Sequence, residues 1–138
     1  MLRKLFNILT NKVFSFSALG VAILLISLHW LRFILFEQCV NNSGIALGSL
    51  SGVMPIVLIV CIAIILAIVL FYAIKQKDIF LVILFIGGLS NWIDRVIDGF
   101  VCDYLLFLDF YINFNDIVIS VIVALIVLRD ILKEKIAA

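Results

Sequence analysis

Long apolar runs, separated by short polar clusters, dominate the sequence. Two of the runs are long, one from about Val13 to Phe36 and one, without a single charge, from about Val53 to Ile74. Two are shorter, from Ile79 to about Ile93 and from about Ile117 to Leu128. A helix crosses the roughly 30 Å of bilayer hydrocarbon with about 20 residues, so the first two runs suffice alone. The last two span only if the polar residues beside them also lie at membrane depth.

The composition agrees with a membrane protein. Hydrophobic residues make up 67% of the 138 residues and charged residues 14%, with a mean hydropathy of +1.38; soluble domains are about 45–50% apolar. A net charge of +1 gives no electrostatic case for binding nucleic acid. We therefore predict an all-α integral membrane protein with one domain, 1–138. It has four transmembrane helices, at about 13–36, 53–74, 79–97 and 114–132, and small irregular loops on the outer face.

Basic residues define the expected orientation. They precede the first run, fill the turn at 75–78 and follow the fourth run: Arg3, Lys4, Lys12, Lys75, Lys77, Arg129, Lys133 and Lys135. By the positive-inside rule, both termini and this turn are predicted to be cytoplasmic. The first run is also longer than the roughly 7–15 apolar residues of a signal-peptide core, so we expect an uncleaved span.

Polar residues of the last two helices are predicted to lie at one depth. We take Asp78 as the inner end of the third helix and Arg129 as the inner end of the fourth. At 1.5 Å per residue, Asn91 and Asp116 then both lie about 20 Å above the cytoplasmic edge. This level is close to the outer membrane interface.

The polar residues also share helix faces. Gly87, Asn91 and Arg95 repeat every four residues and lie on one face of the third helix. Asp116 and Ser120 have the same spacing on the fourth. Glycine at such a face lets another helix approach closely. We therefore expect one polar pocket, open to the outside, between these helices.

Asp103 and Asp116 stand where carboxylates are costly. An ionisable residue at membrane depth indicates a functional site by default. The alternative for Asp116 is structural, because with Asn113 as N-cap its carboxylate satisfies free N–H groups in the first helical turn. The two roles are compatible. The charged residues of 94–98 are alternatively no more than an ion-paired helix end.

The cysteines have plain interpretations. Cys61 is expected to be buried in the second helix. Cys39 and Cys102 both lie in outer segments and either pair or stay free. A cysteine nucleophile with His29 as its base is an alternative chemistry, but nothing else in the sequence is organised around it.

Four polar blocks occur in a fixed order on the predicted outer side. They read NSGIALG at 42–48, GGLSNWIDR at 87–95, GFVCD at 99–103 and INFND at 112–116. These blocks resemble those of signal peptidase II, the prolipoprotein signal peptidase of bacteria, whose patterns read N-x-G-A-A-[FW]-G, G-[AG]-x-[GS]-N-x-x-D-R, G-x-V-x-D and F-N-x-A-D. The resemblance extends from about Asn42 to Ser120.

The resemblance implies an aspartyl endopeptidase that cleaves the signal peptide of a diacylglyceryl-modified prolipoprotein immediately before the lipidated cysteine. Asp103 and Asp116 fall on its two catalytic aspartates. Substrate-binding and supporting positions fall on Asn42, Gly44, Asn91, Asp94, Arg95 and Asn113. No metal or organic cofactor is implied. The expected partners are the prolipoprotein and membrane lipids, with no nucleic acid. The chain is expected to be a monomer in the bacterial cytoplasmic (inner) membrane, with its active site at the outer face.

The chemistry of such a pair follows from its charges. Two carboxylates a few ångströms apart in a poorly solvated site cannot both ionise easily and tend to share a proton. The ionised carboxylate accepts a proton from water, and the protonated one hydrogen-bonds the scissile carbonyl. The dipole of the fourth helix favours ionisation of Asp116, which we expect to be the base.

Several positions depart from the family pattern. His29 falls where an aspartate is usual in the first helix, or is alternatively a structural residue at the membrane interface, and Arg32 stands in for a lysine. In the last block, Asn115 replaces the usual alanine, Ile112 a phenylalanine and Ile117 a serine. These changes leave open a divergent, non-catalytic protein of the same scaffold that binds lipidated peptides or partner proteins. A transporter has less support, because no lysine or carboxylate lies at mid-bilayer.

Overall fold

The computed structural model describes residues 14–23, 26, 39–43 and 55–137. Its helices are α1 Phe14–Ile23, α2 Pro55–Gln76, α3 Ile79–Ile97 and α4 Phe114–Ala137. Its strands are β1 Val40–Asn42, β2 Val101–Asp103, β3 Leu105–Phe107 and β4 Phe110–Ile112. Most of the first predicted helix and outer loop lies outside the described residues, and with it the predictions for His29, Arg32 and Gly44.

The helices expose their apolar side chains. In the described part of the chain, two helices are long and apolar enough to cross a membrane, Ile56–Gln76 and Ile79–Ile97, with only 17% and 33% of their apolar windows buried. A core helix of a soluble protein would be mostly buried, so these surfaces are suited to lipid. The spans predicted near 13–36 and 114–132 stay predictions.

The expectation that Cys61 is buried is wrong. The thiol is exposed on α2, although the sequence around it is apolar on every side. Helix α2 packs against α3 along one side, and side chains elsewhere on it, such as Ile64 and Phe71, are exposed. An apolar run therefore does not reveal which of its faces is the packed one.

A tight turn joins α2 to α3 at the end opposite the predicted outer face. Lys77 has a φ of 53°, and the N–H of Asp78 bonds the carbonyl of Ala73 at 3.2 Å, which is the hydrogen bond of a Schellman helix end. The Asp78 carboxylate then caps α3 by accepting from the N–H of Phe80 at 3.0 Å. It also forms an ion pair with Arg129 of α4. Asp78 thus contacts three helices, α2 through its backbone N–H and α3 and α4 through its carboxylate.

Glycines let α3 pack closely against both of its neighbours. A Cβ atom at Gly87 would lie 3.2 Å from Cγ1 of Ile119 in α4, and one at Gly88 would lie 2.8 Å from Cδ2 of Leu66 in α2. Real Cβ atoms almost never come within 3.0 Å of another heavy atom. The close approach expected at this face is therefore confirmed, and it brings the polar residues of α3 and α4 together.

The segments predicted to lie on the outer face were expected to be irregular loops. They instead contain two short antiparallel ribbons. Strand β1 pairs with β2, with Val40 opposite Asp103, and β3 pairs with β4 as a hairpin. Pairing satisfies backbone N–H and C=O groups of both ribbons. The partners of β1 are distant in the sequence, so no local pattern indicates this pairing.

Replacing Asp78 by alanine is expected to lower the thermal unfolding temperature in detergent. The substitution removes a helix cap, worth about 1 kcal/mol, together with the ion pair to α4. Asp130→Ala is the matched control, because this exposed carboxylate bonds the same guanidinium and caps no helix; its melting temperature should stay near that of the wild type. Equal losses in both variants would contradict the role given to Asp78.

Candidate active site

Asp103 is held by two asparagine side chains at the end of β2. Its carboxylate is 1% exposed. Nδ2 of Asn42 donates to Oδ2 at 2.8 Å, and Nδ2 of Asn113 donates to Oδ1 at 2.8 Å. The β1–β2 pairing brings Asn42 to this position across 61 residues of sequence. A buried carboxylate with both oxygens bonded in this way is a satisfied polar group.

Asp116 lies in the first turn of α4 and forms a reciprocal cap with Asn113. The N–H of Asp116 donates to Oδ1 of Asn113 at 3.0 Å. In return, Asp116 Oδ2 accepts from the Asn113 backbone N–H at 3.4 Å and from its Nδ2 at 2.9 Å. This is the geometry of a capping box, with asparagine and aspartate in place of the usual residues. Asp116 therefore does take part in capping α4, which was the structural alternative to a functional role.

The same Asn113 amide joins the two aspartates. Its Nδ2 carries two hydrogens, and it lies within hydrogen-bonding distance of both Asp103 Oδ1 and Asp116 Oδ2. The two carboxylates therefore face each other across a single nitrogen atom. One residue can cap the helix and bridge the aspartates, because its amide oxygen accepts the capping hydrogen bond of α4 while its amide nitrogen donates to both carboxylates.

Helix α3 supplies the second support of Asp116. Nδ2 of Asn91 donates to Oδ1 of Asp116 at 2.9 Å, which confirms that the two residues lie at one level. Nη1 of Arg95 donates to the backbone carbonyl of Asn91 at 3.0 Å. The predicted stripe on α3 is therefore correct, and Gly87, Asn91 and Arg95 are all buried.

Arg95 and Asp94 are buried charges. They are 8% and 5% exposed, and the guanidinium interacts electrostatically with Asp94, Asp103 and Asp116. Asp98, by contrast, is exposed past the end of α3, where its N–H bonds the carbonyl of Asp94 at 2.7 Å. An ion-paired helix end at 94–98 is thus too simple a description. Removing one member of such a buried charge cluster leaves the others uncompensated.

The inward face of α4 differs from the predicted one. Ser120 is exposed, so the stripe proposed for Asp116 and Ser120 is wrong. Asn115 is buried instead, at 4% exposure, and donates from Nδ2 to Oδ1 of Asn91 at 3.1 Å. By sequence alone, Asn115 is only a departure from the family pattern. Its proximity to Gly87, whose Cβ would lie 3.8 Å from the Asn115 carbonyl oxygen, depends on helix packing.

Tyr104 is a further contributor that the sequence did not indicate. Its hydroxyl accepts a hydrogen bond from the N–H of Phe114 at 3.2 Å. This N–H is one of the free donors at the start of α4. The outer segment that follows Asp103 therefore also fixes the helix end that carries Asp116.

A cavity of about 320 Å³ lies between α2, α3 and α4 and reaches Asp116. Asn91, Arg95 and Asp116 form its polar part. The rest of its wall consists of Ile62, Ile65, Leu66, Val69, Leu84, Gly88, Trp92 and Ile119. Such a cavity can hold an apolar chain beside a carboxylate. Within residues 14–23, 39–43 and 55–137, no group of His, Cys, Asp and Glu is arranged to hold a metal ion.

Lipid-facing apolar helices and a buried polar cluster with two carboxylates define the class: a helical membrane protein with an enzyme-like site. The family profile described as Signal peptidase (SPase) II matches residues 22–132. The chain belongs to this family of membrane proteases.

Curated relatives match just under half of the chain. The lipoprotein signal peptidase of Staphylococcus haemolyticus (strain JCSC1435) is 39% identical over 69 residues, 46% of this chain and 44% of the relative. That of Staphylococcus aureus (strain MRSA252) is 42% identical over 71 residues, 47% and 43% of the two chains. The chain thus spans less than half the length of the curated relatives it matches.

A solved structure shares the fold. It is described as "Bacterial membrane enzyme structure by the in meso method at 2.3 A resolution", has a TM-score of 0.69 and 24% identity, and matches 90% of each chain. At this identity the likeness supports the fold alone.

Asn115→Ala is expected to destabilise the protein by about 1–3 kcal/mol, because it leaves the side-chain amide oxygen Oδ1 of buried Asn91 without this donor. A double-mutant cycle with Asn91→Ala isolates the contact, and contacting residues couple by about 0.5–3 kcal/mol. The free energy of unfolding is measured in mild detergent by denaturant titration. If the double variant loses as much unfolding free energy as the two single variants together, the Asn91–Asn115 hydrogen bond contributes no stability of its own.

Proposed function

We propose that this chain is a lipoprotein signal peptidase with an aspartate dyad. It hydrolyses the signal peptide of diacylglyceryl-modified prolipoproteins immediately before the lipidated cysteine. The observation that carries the proposal is the Asn113 amide, which holds Asp103 and Asp116 together beside an apolar cavity. Membership of the signal peptidase II family supports the reaction class.

The two carboxylates have different surroundings, which suggests different tasks. Asp116 lines the cavity and lies at the positive end of the α4 dipole. It is the proposed base that takes a proton from the attacking water. Asp103 is enclosed at 1% exposure and completes the pair. One proton shared by the dyad polarises the scissile carbonyl and later passes to the leaving amine.

The remaining polar residues position these groups. Asn91 orients Asp116, and Asn42 orients Asp103. Arg95 lines the cavity and is the proposed contact for a peptide carbonyl of the substrate. Its positive charge also balances the dyad and Asp94 in a medium of low dielectric constant. No step of this mechanism needs a metal or an organic cofactor.

The apolar wall of the cavity suits a lipid-modified peptide. The proposed location is the bacterial cytoplasmic membrane, with the dyad at the outer face and the Lys75–Lys77 turn inside. The proposed partners are the prolipoprotein and the surrounding lipids, and the proposed working unit is a monomer.

Asp103→Asn and Asp116→Asn are each expected to lower kcat by at least about 10²–10⁴-fold, because each removes one half of the acid–base pair. The assay uses purified protein in detergent with a diacylglyceryl-modified prolipoprotein, and mass spectrometry identifies the new N-terminal cysteine. Asp98→Asn and Asp109→Asn are matched controls, since both carboxylates are exposed on the same side; they should keep wild-type kcat.

Two results would contradict the proposal. Wild type that binds the lipidated substrate without cleaving it would favour the non-catalytic protein of the same scaffold. Cleavage retained by both dyad variants would assign the activity to other residues.

Asn113→Ser separates capping from pairing. Serine is as good an N-cap as asparagine, so α4 should keep its cap, and stability should fall only by what the lost buried donor contributed, about 1–3 kcal/mol. The loss of the amide that holds both carboxylates should lower kcat by about 10²-fold, the typical cost of one preorganised donor. Unchanged kcat in this variant would show that the amide bridge is not needed for cleavage.

A further inference from the structure

A disulfide lies directly beside the carboxylate pair. It joins Cys39 to Cys102, with Cα atoms 5.3 Å apart and a sequence separation of 63. Cys102 immediately precedes Asp103 in β2, and Cys39 immediately precedes β1, which ends at Asn42. Both cysteines belong to the outer segments, and the outer side of a bacterial membrane is a compartment in which disulfides persist.

The ribbon that carries Asn42 and Asp103 is small. Strands β1 and β2 have three residues each, and a two-stranded ribbon of this size is marginally stable by itself. Joining segments so distant in sequence also costs chain entropy. A covalent link removes this cost, because it restricts the unfolded chain. The disulfide therefore favours the paired state of a ribbon that would otherwise open easily.

The opening of this ribbon would act on the dyad through one contact. Asn42 is half-buried, and its amide donates to Oδ2 of Asp103, while Oδ1 accepts from Asn113. When β1 leaves β2, Oδ2 loses this donor and the carboxylate loses one of the two bonds that fix its plane. A displacement of about 1 Å in a reacting group can lower a rate about 10²-fold.

We propose that the Cys39–Cys102 disulfide is a positioning element of the active site, which holds Asn42 on Asp103 and makes cleavage dependent on the redox state. The inference rests on the proposed function. In the reducing step, a dithiol transfers two electrons and two protons. The sulfur–sulfur bond breaks, Cys39 and Cys102 become thiols, and the dithiol becomes a disulfide. Exposure of Cys39 gives a small dithiol access to this bond.

The first experiment compares oxidised and reduced wild type. Purified protein in detergent is treated with dithiothreitol, alkylation and mass spectrometry count the thiols, and kinetics are measured with the diacylglyceryl-modified prolipoprotein. Reduction is expected to lower kcat about 10- to 100-fold with little change in KM, since the cavity wall is untouched. Reoxidation should restore kcat.

Variants separate the disulfide from other effects. Cys39→Ser/Cys102→Ser should have the kcat of the reduced wild type and no response to reductant. Cys61→Ser is the matched control, because this free thiol lies on α2; it should keep wild-type kcat and wild-type sensitivity.

An epistasis test distinguishes positioning from general support of the fold. Asn42→Ala already lacks the amide through which the disulfide acts, so reduction should change its kcat less than twofold. A merely structural disulfide would lower kcat in this background as much as in wild type. Because this test uses reduction of a folded protein, it does not depend on whether the serine variant folds.

The possible failures are distinguishable. Oxidised wild type that cleaves no lipidated substrate overturns both the proposed function and this inference. Fully reduced wild type with unchanged kcat, or three free thiols in the untreated protein, overturns the role of the disulfide alone. An equal loss of kcat on reduction of Asn42→Ala and wild type also overturns it.

Discussion

The side-chain amide of Asn113 is the contact on which the rest of the site depends. Its nitrogen bonds one oxygen of Asp103 and one of Asp116, and its oxygen caps α4. Strand β2, helix α4 and the segment between them are thus held at one point. Without this amide, two carboxylates would face each other in a poorly solvated region, where their repulsion is large. The amide allows them to be close and ordered.

Amide groups satisfy most of this polar cluster. Asn42, Asn91 and Asn113 donate to the two aspartates, and Asn115 donates to Asn91. Neutral donors compensate buried carboxylates without adding further charges that would themselves need burial. Asn115, which replaces a small residue of the family pattern, thus extends the network by one bond and gives it a second layer of support on α4.

An ion pair far from the site, between Asp78 and Arg129, also joins α3 to α4. Asp78 caps α3 and pairs with Arg129 of α4, which joins the start of α3 to α4 at a point before α4 ends at Ala137. Asn91 and Asp116 were predicted to lie at one depth by counting from these two residues. The count succeeds because the rise per residue is constant in a helix and because the structure joins the two starting points.

Local periodicity in the sequence determined the two strongly apolar helices, the buried face of α3 and the common level of Asn91 and Asp116. The order of the polar blocks determined which aspartates to pair. Tertiary structure alone decided that Asn42 reaches Asp103, that Cys39 bonds Cys102, and that α4 turns Asn115 inward instead of Ser120. The reason is physical: helical rise and period are properties of neighbouring residues, whereas strand pairing and the packed face of an apolar helix depend on residues far apart in the chain.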